Sequence, residues 1–129
     1  MESHNLRELS AFLPLLEVSK DTTEEEAMAS VRTFSQFEDC FVGVTHFSGL
    51  TPWERHNRDE FLYVLEGKVE VTILEEGVER KVVVHSGEVC VVPKMLWHRQ
   101  LPNPNVKLMF ITGETEVSYE SIPDSSKSN

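Results

Sequence analysis

The sequence contains few cysteines, few basic residues and no long apolar run. Its two cysteines, Cys40 and Cys90, lack a CxxC partner, which excludes a cysteine-rich zinc site. A chain that can build its own core does not need a disulfide, so we expect two buried, reduced thiols. No stretch approaches the roughly eighteen apolar residues of a membrane span, and no basic segment followed by an apolar run begins the chain. We therefore expect a cytoplasmic protein.

Basic side chains are in the minority, since 12 lysines and arginines stand against 22 aspartates and glutamates, a net charge of −10. Such a charge repels phosphate backbones and anionic lipid headgroups, so nucleic acid and membrane surfaces are poor partners. The length of 129 residues suits one domain. A domain of this size buries about two-thirds of its unfolded surface, enough for a real core.

From about residue 28 onward, apolar residues recur with the period of two that is typical of β-strands. Gly67 is expected to make a tight turn between two of these strands, and Glu75-Glu76-Gly77 to make the turn of a hairpin. Pro102 and Pro104 are expected to separate two further strands. Seven or more short strands with turn residues between them predict an antiparallel sandwich or barrel and exclude a parallel α/β fold.

The chain divides by composition into three parts. We expect residues 1–36 to form an N-terminal extension with a short helix and an edge strand, residues 37–114 to form the barrel, and residues 115–129 to form a polar, mobile tail.

Two short helices are conceivable in the extension. Asn5, followed three residues later by Glu8, predicts the start of one helical turn. Thr23 precedes an acidic run and is able to cap a second helix, but a solvated loop or strand end is the favoured interpretation there.

Two stretches place ionisable residues beside strand-forming runs: WERHNRDEFLYVLEG from Trp53 to Gly67, and GEVCVVPKMLWHRQLPNP from Gly87 to Pro104. A helical reading of the first is disfavoured because its apolar run is strand-like. If both stretches belong to one barrel, four side chains converge on one cavity: Glu54, His56, Glu60 and His98.

The first stretch resembles the first motif of the cupin superfamily, in its small single-domain conserved-barrel form. That motif is Gly, five residues, His-x-His, three or four residues, Glu, six residues, Gly. Glu60 and Gly67 hold its last two positions, and His56 holds the second histidine. Glu54 stands where the first histidine is expected.

The second stretch resembles the second cupin motif, since Gly87, Pro93 and His98 match with the right spacing. Met95 replaces a glycine of that motif, and Pro102 replaces an asparagine. The glycine usually adopts a positive backbone dihedral that Met adopts only at some cost. We therefore expect the turn after Pro93 to be altered locally.

The resemblance implies a single-domain antiparallel β-barrel of the double-stranded β-helix or jelly-roll type, and a homodimer. It implies one divalent metal ion held by His56, Glu60 and His98, a set that suits iron(II) with open positions. Glu54 as a fourth ligand makes the site more anionic and favours manganese, iron or zinc. The alternatives are a solvated Glu54 and hydrogen-bonded, metal-free histidines.

Five further residues are candidates to line a small-molecule pocket in the barrel: His46, Trp53, Arg58, Tyr63 and Trp97. The competing interpretation is that the aromatic side chains fill the core, the arginine balances charge, and the histidine is an ordinary hydrogen-bonded one.

The superfamily hosts many reactions, so the fold does not settle the function. Three hypotheses remain. One is a small-molecule-binding barrel with a divalent metal, acting as a metal-dependent enzyme such as a dioxygenase. Another is a metal-free, non-catalytic ligand-binding or sensor barrel, which the missing first histidine favours. A purely structural barrel is a third reading, and whether the protein is an enzyme stays open.

Overall fold

The computed structural model describes residues 1–123, and residues 124–129 lie outside the described part. Within it, two short helices precede or separate the first strands: α1 (Leu6–Ser10) and α2 (Glu24–Ala29). The strands are β1 (Leu16–Glu17), β2 (Val31–Phe37), β3 (Cys40–Ser48), β4 (Trp53–His56), β5 (Glu60–Glu75), β6 (Val78–His85), β7 (Val89–Val92), β8 (Trp97–Thr112) and β9 (Thr115–Ser118).

Two long strands, β5 and β8, organise the sheet. They pair with each other along most of their length, and each also reaches strands on both sides of a bend. The first half of β5 pairs with β7 and its second half with β6, while β8 pairs with β3 and touches β4. The pairing is antiparallel throughout the described residues except for β1, which is parallel to β3. The predicted all-β jelly-roll barrel is confirmed.

Gly67 bends β5 instead of ending it, so the predicted tight turn is wrong. Its φ of +82° lies in the left-handed region, and a Cβ there would collide with the carbonyl oxygen of Asn105. The β5–β8 register shifts on both sides of this glycine. Contrary to the expectation from the sequence, Pro102 and Pro104 do not separate two strands. They lie near the same register shift, where the sheet tolerates residues without a backbone N–H, and β8 continues past them.

The structure confirms some of the predicted turns and helix caps and contradicts others. Glu76 and Gly77 have φ values of +51° and +76°, as a two-residue hairpin turn requires, which confirms the β5–β6 hairpin. Asn5 caps α1 as expected. The loop favoured after Thr23 is wrong, because Thr23 and Glu26 form a reciprocal capping box that starts α2.

The core consists of aliphatic side chains on the inner face of the curled sheet. Residues paired directly across antiparallel strands share a face, so the inner face can be followed from strand to strand. The buried inner cluster contains Phe47, Leu62, Val64, Val69, Val71, Val84, Val92, Val106 and Leu108. A second cluster of Trp53, Leu74 and Trp97 is packed on the opposite face of β4, β5 and β8.

Part of the predicted tail is ordered. Thr115–Ser118 form β9, which pairs antiparallel with β4, because the polar sequence still offers backbone groups that complete the edge of β4. The rest of that prediction falls partly on residues 124–129, outside the described residues. The predicted boundaries of extension, barrel and tail stay predictions.

The structure also shows the state of the two cysteines and the character of the helices. Cys40 and Cys90 are both free, the first buried and the second half-buried. Among residues 1–123, no helix is long and apolar enough to cross a membrane.

Candidate metal centre

Three strands bring the four predicted ligands together. Glu54 and His56 alternate on β4, Glu60 begins β5, and His98 lies near the start of β8. Glu54 is directly opposite His98 in the β4–β8 ladder, so their side chains share the inner face. We call Glu54, His56, Glu60 and His98 the centre. It forms because alternate residues of a strand point to the same side.

Glu60 connects the two histidines of the centre. Its Oε1 lies 3.1 Å from Nε2 of His98, and its Oε2 lies 3.4 Å from Nε2 of His56. One ligand atom from each of Glu54, His56 and His98 lies within 4.8 Å of the others. Both histidines and Glu60 are buried, whereas Glu54 is half-buried. Buried charges of this kind are stable only when they are paired or bind a cation.

The outer nitrogen of each histidine is held by a group outside the centre. Nδ1 of His98 lies 3.3 Å from the carbonyl oxygen of Leu96, and Nδ1 of His56 lies 2.9 Å from Oγ1 of Thr115. Without a metal, Nε2 of His98 donates to the Glu60 carboxylate, which only accepts, and the Leu96 carbonyl holds a second proton on Nδ1, so Nε2 is the nitrogen that faces the centre. This arrangement is the usual one for a histidine that binds a metal.

The electrostatics of the centre require positive charge. Burial alone raises the pKa of Glu60, but contacts with His56 and His98 outweigh it and lower that pKa from 4.5 to about 2. Burial and the charge of Glu60 raise the pKa of Glu54. Burial lowers the pKa of His98, but its hydrogen bond to Glu60 and the charges of Glu60 and Glu54 reverse the direction and raise it. Protons or a metal cation can supply this positive charge.

The residues fit a divalent ion. Nε2 of His56 is buried and forms no hydrogen bond, although Oε2 of Glu60 lies 3.4 Å away. A buried polar atom left without a partner is costly, and metal coordination through Nε2 removes that cost. Two imidazoles with carboxylate oxygens form a donor set that iron, manganese and zinc accept.

The turn before β8 positions the centre from outside. Met95 has a φ of +63°, and its N–H donates to the carbonyl oxygen of His56 at 2.8 Å. Met95 therefore keeps the left-handed conformation of the motif glycine, and the expectation of an altered turn is wrong. This hydrogen bond ties the turn to β4, which compensates for the backbone strain of a non-glycine residue there.

The structure does not bring Trp53 and Trp97 to the centre. Each is next to a ligand in sequence, so alternation directs it to the opposite face, where both are buried. There the guanidinium of Arg55 lies 4.6 Å from the Trp97 ring, and that of Arg99 lies 4.4 Å from the Trp53 ring. These pairs stabilise the outer side of β4 and β8.

The other three predicted pocket residues also lie away from the centre. Arg58 is exposed and forms an ion pair with Asp39 at 2.7 Å. Tyr63 pairs across strands with Met109, on the face opposite Leu62. His46 lies on the face opposite Phe47, and its Nδ1 is 3.2 Å from the carbonyl oxygen of Leu13 in the N-terminal extension.

Two inner-face residues near the centre were not predicted. Gln100, two residues after His98, is 7% exposed and its Oε1 has no hydrogen-bond partner. Oγ1 of Thr112 is also buried without a partner. The alternation from His98 to Gln100 was a usable signal, whereas the position of Thr112 depends on the pairing of β8 with β3 and β5.

Comparison with known proteins fits this architecture. The family model described as the cupin domain matches residues 47–111, about half of the chain and both stretches that hold the centre. The chain belongs to the cupin family. No curated protein matches this cupin.

Solved structures similar to this cupin are distant in sequence. A cupin-2 domain containing protein from Shewanella frigidimarina is 23% identical, with a TM-score of 0.57, over 66% of this chain and 80% of that one. Protein NMB1881 from Neisseria meningitidis is 20% identical, with a TM-score of 0.62, over 88% and 100%. An oxalate oxidase in complex with the substrate analogue glycolate is 22% identical, with a TM-score of 0.54, over 62% and 46%. At these identities the likeness shows the fold alone.

Proposed function

We propose that this cupin holds one divalent metal ion, iron, manganese or zinc, and that the metal binds a small-molecule ligand inside the barrel. His56, Glu60 and His98 are the proposed ligands, with Glu54 as the fourth. The observation that carries the proposal is the buried Nε2 of His56, which forms no hydrogen bond although it lies 3.4 Å from the Glu60 carboxylate.

The remaining contacts of the centre support this role. Thr115 and the Leu96 carbonyl orient the two imidazoles, and the turn at Met95 fixes the backbone of His56. When bound, a divalent ion supplies a Lewis acid that polarises an oxygen donor of the ligand. Glu54 is the most exposed member of the centre and has a raised pKa, so it is also placed to exchange a proton with that ligand.

The catalytic form of the proposal is a metal-dependent enzyme of the dioxygenase type. The solved structure of oxalate oxidase shows that a similar fold hosts an oxidase, though at 22% identity it gives no substrate for this chain.

The second candidate is a metal-free ligand-binding or sensor cupin. It is favoured by one observation, the 3.1 Å contact between Glu60 and His98, which satisfies both groups as an ion pair without any metal.

Metal analysis separates these two candidates. Untagged protein is titrated with iron(II), manganese(II) and zinc(II) and analysed for bound metal after desalting. We expect one metal per chain in the wild type and its loss in His56→Ala and in His98→Ala. In His46→Ala the metal content should be unchanged, because His46 contacts Leu13 on the opposite face. A wild type that retains none of the three metals would rule out the metal-binding function and leave the sensor.

The metal form of the proposal is tested for catalysis by oxygen uptake. Metal-loaded wild type and His98→Ala are screened against small oxygen-bearing substrates. Uptake in the wild type that is absent in the variant supports an enzyme, and retention of metal with no uptake supports a metal-dependent binding protein.

We further propose that the protein is a cytoplasmic homodimer. The free cysteines are in keeping with a reducing compartment. An apolar outer face runs across β7, β5 and β8, where Tyr63 pairs with Val89 and Met109, and Val89 is 56% exposed. An exposed face of this kind favours burial against a second copy.

A further inference from the structure

A cavity of about 160 Å³ lies where the barrel is not closed, between β6 and β7. Both strands pair with β5, but they are not paired with each other in the described residues. We call this space the β6–β7 cavity. Aliphatic side chains such as Val71, Ile73, Val82 and Val92 form most of its walls, and Arg80 and Lys81 also line it.

The β6–β7 cavity adjoins the centre. Ile73 is directly opposite His98 in the β5–β8 ladder, and Val92 is directly opposite Glu60 in the β5–β7 ladder. Cross-strand pairs on one face place their Cβ atoms about 5 Å apart. Ile73 and Val92 of the cavity wall therefore lie directly beside two residues of the centre. The charge of Glu60 also reaches Cys90, where it adds to burial in raising the pKa of the thiol.

An uncharged polar side chain lies beside the aliphatic part of this wall. Gln100 is directly opposite Val71, which lines the cavity, and it shares the inner face with His98. Its amide is more than nine-tenths buried and Oε1 lacks a partner. A buried amide in this state is available to a ligand that extends from the centre into the cavity.

The size and lining of the cavity define the ligand. An apolar protein cavity of roughly 150 Å³ holds one benzene molecule, so the β6–β7 cavity accommodates about six non-hydrogen atoms. We infer that the ligand of the proposed metal has an oxygen donor at one end and a compact hydrocarbon body of this size, which occupies the β6–β7 cavity. The inference rests on the proposed function, because the centre holds the donor end.

Two hydroxamates test the inference, since they share one metal-binding end and differ only in the apolar body. Benzohydroxamate carries a phenyl ring and acetohydroxamate a methyl group. Binding of each to zinc-loaded protein is measured by calorimetry. Because burial of hydrocarbon is favourable, we expect benzohydroxamate to bind the wild type at least about tenfold more tightly.

A matched pair of variants locates the hydrocarbon body. Val82 faces Val71 and the cavity, whereas Val83 faces Glu70 on the outer side of the same strand, and the two are 49% and 44% exposed. Val82→Trp fills the cavity mouth from an already exposed position. It should reduce the preference for benzohydroxamate to less than about threefold. Val83→Trp should leave the preference unchanged.

Failure of the cavity assignment can be distinguished from failure of the metal proposal. Zinc uptake without hydroxamate is measured first on all three proteins and should be equal. If zinc binds but benzohydroxamate has no advantage, or if both tryptophan variants lose it equally, the cavity assignment is wrong and the metal proposal stands. If the wild type takes up no zinc, both proposals are overturned.

Discussion

At the scale of single residues, the hydrogen bond between His98 and Glu60 controls how the metal-free protein responds to acid. Glu60 has a folded-state pKa of about 2 against an ordinary 4.5, so it stabilises the fold fully above pH 4.5 and progressively less as pH falls towards 2. The raised pKa of His98 means that its ring is already protonated in this range.

His98→Ala should therefore weaken the acid response. Without this hydrogen bond the pKa of Glu60 moves back towards 4.5, and the variant loses less free energy of unfolding between pH 5 and pH 3 than the wild type does. The difference should be on the order of 1 to 2 kcal/mol, measured by urea denaturation with chelator present. His85→Ala, at an exposed turn, is the control and should behave as the wild type. An equal acid response in all three proteins would contradict the assigned pairing.

At the scale of elements, the bend of β5 at Gly67 joins the two halves of the barrel. Gly67 and Gly77 both have positive φ values, +82° and +76°, so alanine is strained at either position. A Cβ at Gly67 would meet the Asn105 backbone, whereas nothing lies within 4 Å of one at Gly77.

The two glycines form a matched test of the bend. Gly77→Ala should cost about 1 kcal/mol from backbone strain alone. Gly67→Ala should cost about 2 kcal/mol more, because β8 must move away from β5. Chemical denaturation measures both, and equal losses would show that the contact at the bend does not constrain the fold.

At the scale of the whole molecule, the apolar outer face of β5, β7 and β8 should determine the oligomeric state. Val89 lies on that face and Val78 lies next to the β5–β6 turn, yet both are 56% exposed. In Val89→Lys, each of the two subunits would bury an introduced positive charge in an apolar interface. We therefore expect this variant to be a monomer.

Val78→Lys provides the comparison, since it adds the same charge at equal exposure away from the face. It should remain a dimer in sedimentation velocity, as should the wild type. A monomeric wild type would remove the dimer proposal, and dissociation in both variants would place the interface elsewhere.

The sequence by itself determined the all-β barrel, the β5–β6 hairpin and the four residues of the centre. These follow from local rules, because a period of two assigns strands and the motif spacing places Glu54, His56, Glu60 and His98. The same alternation places Trp53 on the face opposite Glu54 and Trp97 on the face opposite His98, so it directs both tryptophans away from the centre.

Only the tertiary structure decided what surrounds the centre. Whether Gly67 turns or bends depends on β8 lying beside it, and β9 is ordered because β4 offers an edge. The β6–β7 cavity exists because β6 and β7, although consecutive in the chain, pair with opposite ends of β5 and leave a gap between them. Such features arise from long-range pairing, which no local pattern of residues contains.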